Sequence, residues 1–182
     1  MLLKGQINMK KTLIPAMLIA LTTFIVSCGG DSSEAPMGYK EISDEALNYH
    51  FYVPDEWITD VSTGMTSAYF DGRDPSNVSI TAFELDDTSI NSVDAYWELN
   101  EADLKLILPD MEYVDTADCT LGGSPAKQYI YTASMSGTEY KFMQVVTIRS
   151  NEVYILTYTA TAEKYDSHIE DVISMVDYFK FK

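Results

Sequence analysis

Three runs rich in β-branched and aromatic residues, 127–132, 140–149 and 153–160, follow one another in the last third of the chain. The breaks between them carry Ser136-Gly137 and Ser150-Asn151, residue types that turn a chain back on itself. The pattern predicts a meander of three antiparallel strands. In the last two runs both faces are largely apolar, with Val153 and Ile155 on one side and Tyr154, Leu156 and Tyr158 on the other. A strand of that kind sits inside a sheet that is covered twice. Two stretches have the helical period needed to cover it. Over 91–108, Val93, Trp97, Leu104 and Ile107/Leu108 recur at spacings of three and four, with Asn91 or Ser92 as the cap and Pro109 as the stop. Over 162–175 the stripe is Tyr165, Ile169, Val172, Ile173 and Val176, with Thr161 as the cap.

The remaining pieces are shorter. Residues 48–53 (Asn-Tyr-His-Phe-Tyr-Val) read as one strand ended at Pro54, and 67–70 as a second. Asp71-Gly72-Arg73-Asp74-Pro75 reads as a turn, followed by a half-buried strand in which Val78, Ile80 and Ala82 alternate with Ser79 and Thr81. A weaker strand is predicted over 111–119, and a turn at Leu121-Gly122-Gly123-Ser124-Pro125. Tyr178-Phe179-Lys180-Phe181 is expected to close the chain against the sheet edge. No internal repeat and no second domain are evident.

At the other end, Lys10-Lys11 leads an apolar run over 13–26, which ends in Ile25-Val26-Ser27-Cys28 and Gly29-Gly30-Asp31-Ser32-Ser33. The run contains Pro15, Thr22 and Thr23 and is shorter than the roughly 20 residues a spanning helix needs. A basic flank and a cysteine followed by glycines are targeting features rather than packing features. The arrangement resembles the lipobox of bacterial lipoprotein signal peptides. That resemblance implies that residues 1–27 are a signal peptide, starting at Met1 or Met9. It also implies lipidation of Cys28, through a diacylglycerol thioether with palmitate-like chains; the alternative is an ordinary structural thiol. Two or more chains anchor stably at roughly 0.8 kcal/mol per buried CH₂. Residues 28–38 then form the lipidated cysteine and a flexible tether, whose ten residues from Gly29 reach on the order of 17 Å. Residues 39–182 form the folded domain. The expected location is the cell membrane, lipid-anchored and extracytoplasmic.

Removing residues 1–27 removes three lysines and no acid, leaving 155 residues with nine basic side chains against 28 acidic ones, a net charge of −19. Such a surface is a poor match for nucleic acid or anionic lipid head groups. Arg73 and Arg149 are the only arginines, so no phosphate-reading cluster is expected. Cationic partners and divalent ions are compatible with it, as is a simple solubilising role. With Cys28 acylated, Cys119 is the only remaining thiol, so no intrachain disulfide is expected. Asp115 and Asp118 beside it should raise its pKa and keep it unreactive.

The order of pieces becomes recognisable once they are set side by side. Tyr49-His50-Phe51-Tyr52-Val53-Pro54-Asp55-Glu56-Trp57 is similar to the aromatic-x-x-Pro-x-x-Trp opening of PsbP-like proteins, and Asn77-Val78-Ser79-Ile80 looks like the strand that follows it there. Gly123-Ser124-Pro125-Ala126, the meander ending in Tyr154-Ile155-Leu156-Thr157-Tyr158-Thr159-Ala160, and Met175-Val176-Asp177-Tyr178-Phe179 resemble the second half. That family includes the photosystem II extrinsic subunit, a nuclear-transport factor and DcrB-like bacterial lipoproteins. The resemblance implies an α+β fold with an antiparallel sheet flanked by helices. It transfers no function, because one fold serves unrelated tasks.

Motifs that carry chemistry are scarce. Gly-x-Ser-x-Gly, a phosphate loop, His-Glu-x-x-His and Cys-x-x-Cys are all missing from the sequence. Ser124, before Pro125, reads as a turn residue. His50 and His168 read as packed or exposed histidines; Asp166 and Glu170 lie two residues from His168 and so face other ways on a helix. Asp71-x-x-Asp74 and Asp86-Asp87 offer hard oxygen ligands but lack the rest of a calcium loop, and read as turn formers. Tyr49, Tyr52, Trp57, Tyr69 and Phe70 read as core, with a ligand cleft as the alternative. The expectation is a non-catalytic lipoprotein domain without a cofactor. It would reach the membrane through its N-terminal lipid and bind or assist another cell-envelope component. The alternative is a lipoprotein that binds a small molecule or divalent cation. A hydrolase would need a nucleophile–base pair that the sequence does not display.

Overall fold

The computed structural model describes residues 34–60, 65–87 and 89–182. The expected signal peptide 1–27, Cys28 and the tether as far as Ser33 lie outside the described residues.

Two-residue turns build the body of the domain. Gly122-Gly123, Ser136-Gly137 and Ser150-Asn151 each have positive φ at both positions. That is the backbone form whose twist matches a pair of antiparallel strands. In chain order the elements are β1 (Tyr39–Glu41), β2 (Tyr49–His50), β3 (Tyr52–Pro54), β4 (Ile58–Thr59), β5 (Thr66–Tyr69) and β6 (Asn77–Glu84). Then come α1 (Val93–Ile107), β7 (Glu112–Leu121), β8 (Ser124–Met135), β9 (Thr138–Arg149), β10 (Glu152–Thr161), α2 (Tyr165–Tyr178) and β11 (Lys180–Phe181). Among the described residues the main sheet has seven strands in the order β4-β5-β6-β10-β9-β8-β7, every pairing antiparallel. The chain leaves β6, passes over the sheet as α1 and re-enters at the far edge as β7. Three hairpins then bring it back, so that β10 zips onto β6 from Glu152 opposite Glu84 to Thr159 opposite Asn77.

Both faces of this sheet are packed, as the apolar pattern of the last strands requires. Tyr154, Leu156 and Tyr158 point to one side, with α2 and the β3 segment over them; Val153 and Ile155 point to the other, towards α1. On the α1 side Trp97 lies flat on Tyr129, ring centroids 3.6 Å apart and planes 5° from parallel. The Ser92 hydroxyl accepts from Ala95 N–H at 3.1 Å, which decides between the two predicted caps. The last turn places Leu108 inside and leaves Ile107 exposed.

Five local expectations are corrected. Residues 48–53 are not one strand: β2 pairs with β11 and β3 with β1, with Phe51 between them. Phe51 C=O accepts from Ile42 N–H, so the chain changes partner at that residue. Pro54 closes β3 opposite Tyr39 rather than ending it beforehand. Thr161 does not cap α2; it is the last residue of β10, and Lys164 occupies the cap position without a side-chain bond. The chain end pairs with β2 in a small separate sheet, not with the edge of the large one. β8 also begins three residues earlier than predicted, because Pro125 sits near its start, where a missing N–H is tolerated.

A Cβ built on Gly122 (φ +55) would lie 2.7 Å from Phe181 Cδ2 and 3.1 Å from Phe179 Cδ1, whereas Gly123 (φ +77) faces open space. Gly123→Ala should therefore cost only backbone strain, about 1 kcal/mol. Gly122→Ala should cost about 2–3 kcal/mol, because the rings that seat β11 must also shift. Urea unfolding of the two variants measures the difference, and equal losses would show that β11 does not press on this turn.

Candidate functional site

Several candidates that stand far apart in the sequence meet in one buried cluster. His168 on α2 donates through Nε2 to Asp74 Oδ2 at 3.0 Å, and both side chains are nearly enclosed. Asp74 Oδ1 accepts from Ser76 Oγ at 2.6 Å and from Ser76 N–H at 3.2 Å. Trp57 meets the imidazole edge-on at 5.8 Å between centroids, and Phe70 lies at 4.1 Å. Burial alone would push the Asp74 carboxyl up. The Ser76 and His168 hydrogen bonds together outweigh burial and hold it below the ordinary carboxylate value.

The order of bonds decides what this cluster can do. A nucleophilic serine needs its hydroxyl on the imidazole, with the acid behind. Here the acid stands between them and accepts from both. The cluster is a pin that ties α2 to the 71–76 turn, and Asp71 shapes that turn by accepting from Arg73 N–H and Asp74 N–H.

The other candidates sit apart from it. His50 Nδ1 donates to Glu41 Oε1 at 2.8 Å and so links β2 to β1. Ser124 opens β8 opposite Leu121. Asp87 is exposed and accepts from Ser89 N–H at 2.8 Å in a turn of its own. Asp86 is exposed in that same stretch. Among the described residues no group of three or more His, Cys, Asp or Glu side chains is gathered as a metal shell would be. Tyr49, Tyr52 and Trp57 are fully enclosed core residues, while Tyr69 and Phe70 are half-buried.

A groove of about 560 Å³ lies between α2 and the outer strands of the sheet. It is lined by Cys119 and Thr120 of β7, Gln128 of β8 and Met143 of β9, with Ile173 and Val176 along the helix. Asp177 adds a carboxylate from the helix, and Asp118 borders the groove from the strand, its side chain turned with Lys127 to the other face of the sheet. The groove exists because α2 packs on β10 and β3 and leaves β7 and β8 open on that face. Ile173, placed by its spacing in the buried stripe, is 50% exposed on the groove wall. Burial first, and Asp118 second, push the Cys119 thiol up, so it stays protonated and inert in the neutral range. Cys119 was the one groove residue visible as a candidate. The missed signal was an apolar stripe on α2 one residue wider than the sheet beneath it covers.

Among the described residues the mainly antiparallel sheet with two helices has the PsbP/Mog1-like α+β fold. No family model matches the chain, and no curated protein matches it in sequence. Solved structures do. The cyanobacterial PsbP protein CyanoP of Synechocystis sp. PCC 6803 aligns with a TM-score of 0.60 at 13% identity, over 85% of this chain and 99% of that one. The Ran-binding protein Mog1p of Saccharomyces cerevisiae gives 0.58 at 11% identity, over 80% and 96%. LpqN of Mycobacterium tuberculosis, described as involved in cell envelope biogenesis, gives 0.53 at 18% identity, over 79% and 90%. At these identities the likeness is one of fold.

Because the Asp74 carboxyl is held low in the folded state, its contribution is fully present above the unfolded value of about 3.9 and is lost as pH falls through the lower folded value. Asp74→Asn should lower stability by about 2 kcal/mol at neutral pH. The gap to the wild type should close in acid. Denaturant midpoints across that range give the comparison, and a gap independent of pH would mean the ionised carboxylate is not what holds α2.

Proposed function

We propose that this protein is a lipid-anchored, extracytoplasmic component of the bacterial cell envelope whose PsbP/Mog1-like domain binds a partner rather than turning over a substrate. The observation that carries the binding role is the open groove beside α2, lined by Met143, Ile173 and Val176 with Asp177 at its helical wall. The anchoring reading is supported by Lys10-Lys11, the short apolar run and Ile25-Val26-Ser27-Cys28 before a glycine pair. LpqN, a protein of similar fold whose description places it in envelope biogenesis, makes such a role reasonable for this scaffold. Both histidines are used as structural pins, so the polar groups that would suggest catalysis already have local work.

A second reading, a small-molecule binder, rests on the volume of the groove, which lies within the roughly 300–1,000 Å³ of ordinary ligand sites. Calorimetry with a metabolite panel separates it from a protein partner.

In intact cells the full chain should carry a diacylglyceryl mass on Cys28, and Cys28→Ser should move it from the detergent phase to the aqueous one. A partner captured by crosslinking should be lost on Ile173→Lys, with the unfolding midpoint unchanged. A native protein that keeps residues 1–27 and bears no acyl group on Cys28 would overturn the anchored reading.

A further inference from the structure

We propose that the outer edge of β7 accepts an extended cationic segment of a partner protein as an added strand, with alternate apolar side chains of that segment entering the groove beside α2. This rests on the binding role given above and names the kind of partner.

β7 is ten residues long and ends the sheet order, so among the described residues it has a strand on one side only. Of its side chains, Leu121 is buried and Cys119 half-buried; the others are exposed. An edge of this kind presents main-chain donors and acceptors to any extended chain of suitable chemistry. Part of it is closed. The register shifts between Tyr113 and Asp115, and Thr116 N–H is held by Asp115 Oδ1 at 2.8 Å. The regular stretch that remains is 117–121, which directly adjoins the groove.

Side-chain alternation sets what the added strand must carry. Cys119 stands opposite Ala126 on the α2 side of the sheet, while Asp118, opposite Lys127, stands on the α1 side. A strand laid about 4.8 Å beyond β7 therefore sends every second side chain towards Cys119, Ile173 and Val176, which favours apolar residues. The intervening side chains come down beside Asp118.

Charge selects the sign of those intervening residues. The intervening side chains meet Asp118 directly on the α1 side, while Glu112 and Asp115 of β7 and Asp166, Glu170, Asp171 and Asp177 of α2 add to the negative field over the edge; neither element contains a lysine or arginine. The basic side chains of β8 and β9 are engaged. Lys127 is paired with Asp94, Lys141 lies 3.7 Å from Asp166 and over the Tyr165 ring, and Arg149 lies over Phe181. Asp118 shares Lys127 with Asp94, so two carboxylates face one ammonium and a negative field remains. The occupant that fits is a short extended segment alternating Lys or Arg with Val, Ile or Leu.

The test uses the full chain in detergent micelles and a capped ten-residue peptide alternating Lys and Val. The peptide should bind saturably, and amide exchange should slow at 117–121 on β7. A Glu/Val peptide should not bind, and Asp118→Lys with Asp177→Lys should weaken the Lys/Val peptide by about tenfold. The deciding comparison leaves the protein untouched. The Lys/Val peptide methylated on every backbone nitrogen keeps its charges and side chains but loses its donors, and its binding should disappear. Equal binding of the methylated peptide would show a site for cationic amphiphiles and overturn strand addition, as would equal binding of Glu/Val or no saturable binding. The outcome is separable from the anchoring question. An unacylated Cys28 would remove the location while leaving this edge intact, and failure of the peptide with Cys28 acylated would remove the edge alone.

Discussion

The fold depends on β10 being buried on both faces while hydrogen-bonded on both edges. Its backbone pairs with β9 along its whole length and with β6 over most of it. Its side chains divide between the two apolar clusters, Leu156 and Tyr158 fully enclosed towards α2 and Val153 towards α1. Each such side chain contributes roughly 1.5–3 kcal/mol of burial, against the cost of ordering the chain. β10 follows β9 after a two-residue turn, whereas α1 and three strands separate it from β6 along the chain. The step that joins the two parts of the chain is therefore non-local, which makes it slow relative to the hairpins. The two helices are bound to this arrangement, because neither has an apolar face that can be covered without the sheet.

Legibility follows from the same distinction between local and distant contacts. The meander could be read because turn chemistry and apolar runs lie within a few residues of one another. Ser136-Gly137 and Ser150-Asn151 fall where the structure has its positive-φ pairs. Residues 48–53 were misread for the opposite reason. β2 and β3 are two and three residues long, too short to show a period, and their partners lie at the chain end and at Tyr39–Glu41. His168 and Asp74 are 94 residues apart, so no spacing rule finds the pair. Inspection along the helix finds only Asp166 and Glu170, which face elsewhere. Ile173 was misplaced because helical spacing identifies an apolar stripe but not how far the opposing sheet extends beneath it.

The groove and the pin are two consequences of where α2 is set. The His168–Asp74 pair, with Ser76 behind it, fixes the N-terminal half of the helix against the turn that follows β5. Phe179 and the β11–β2 pairing hold its other end. Pinned at both ends over β10 and β3, the helix does not extend over β7, and the space beside Ile173 and Val176 stays open. Polar groups that resemble catalytic parts in composition thus tie elements together, and the groove beside α2 is lined by apolar side chains with Asp177 at its wall.

An open ten-residue edge carries a hazard, since two copies can pair edge to edge. The acids of β7 oppose this. Glu112, Asp115 and Asp118 give the edge three carboxylates and no basic side chain, so two such edges brought together concentrate like charge, which is unfavourable. The bulge near Asp115 and the capped Thr116 amide shorten the usable edge further. Lysines are the commoner guard on natural edges. Carboxylates guard as well against self-pairing, but they leave the edge complementary to a basic segment. The same three side chains that disfavour self-pairing therefore set the charge of the segment proposed to add to this edge.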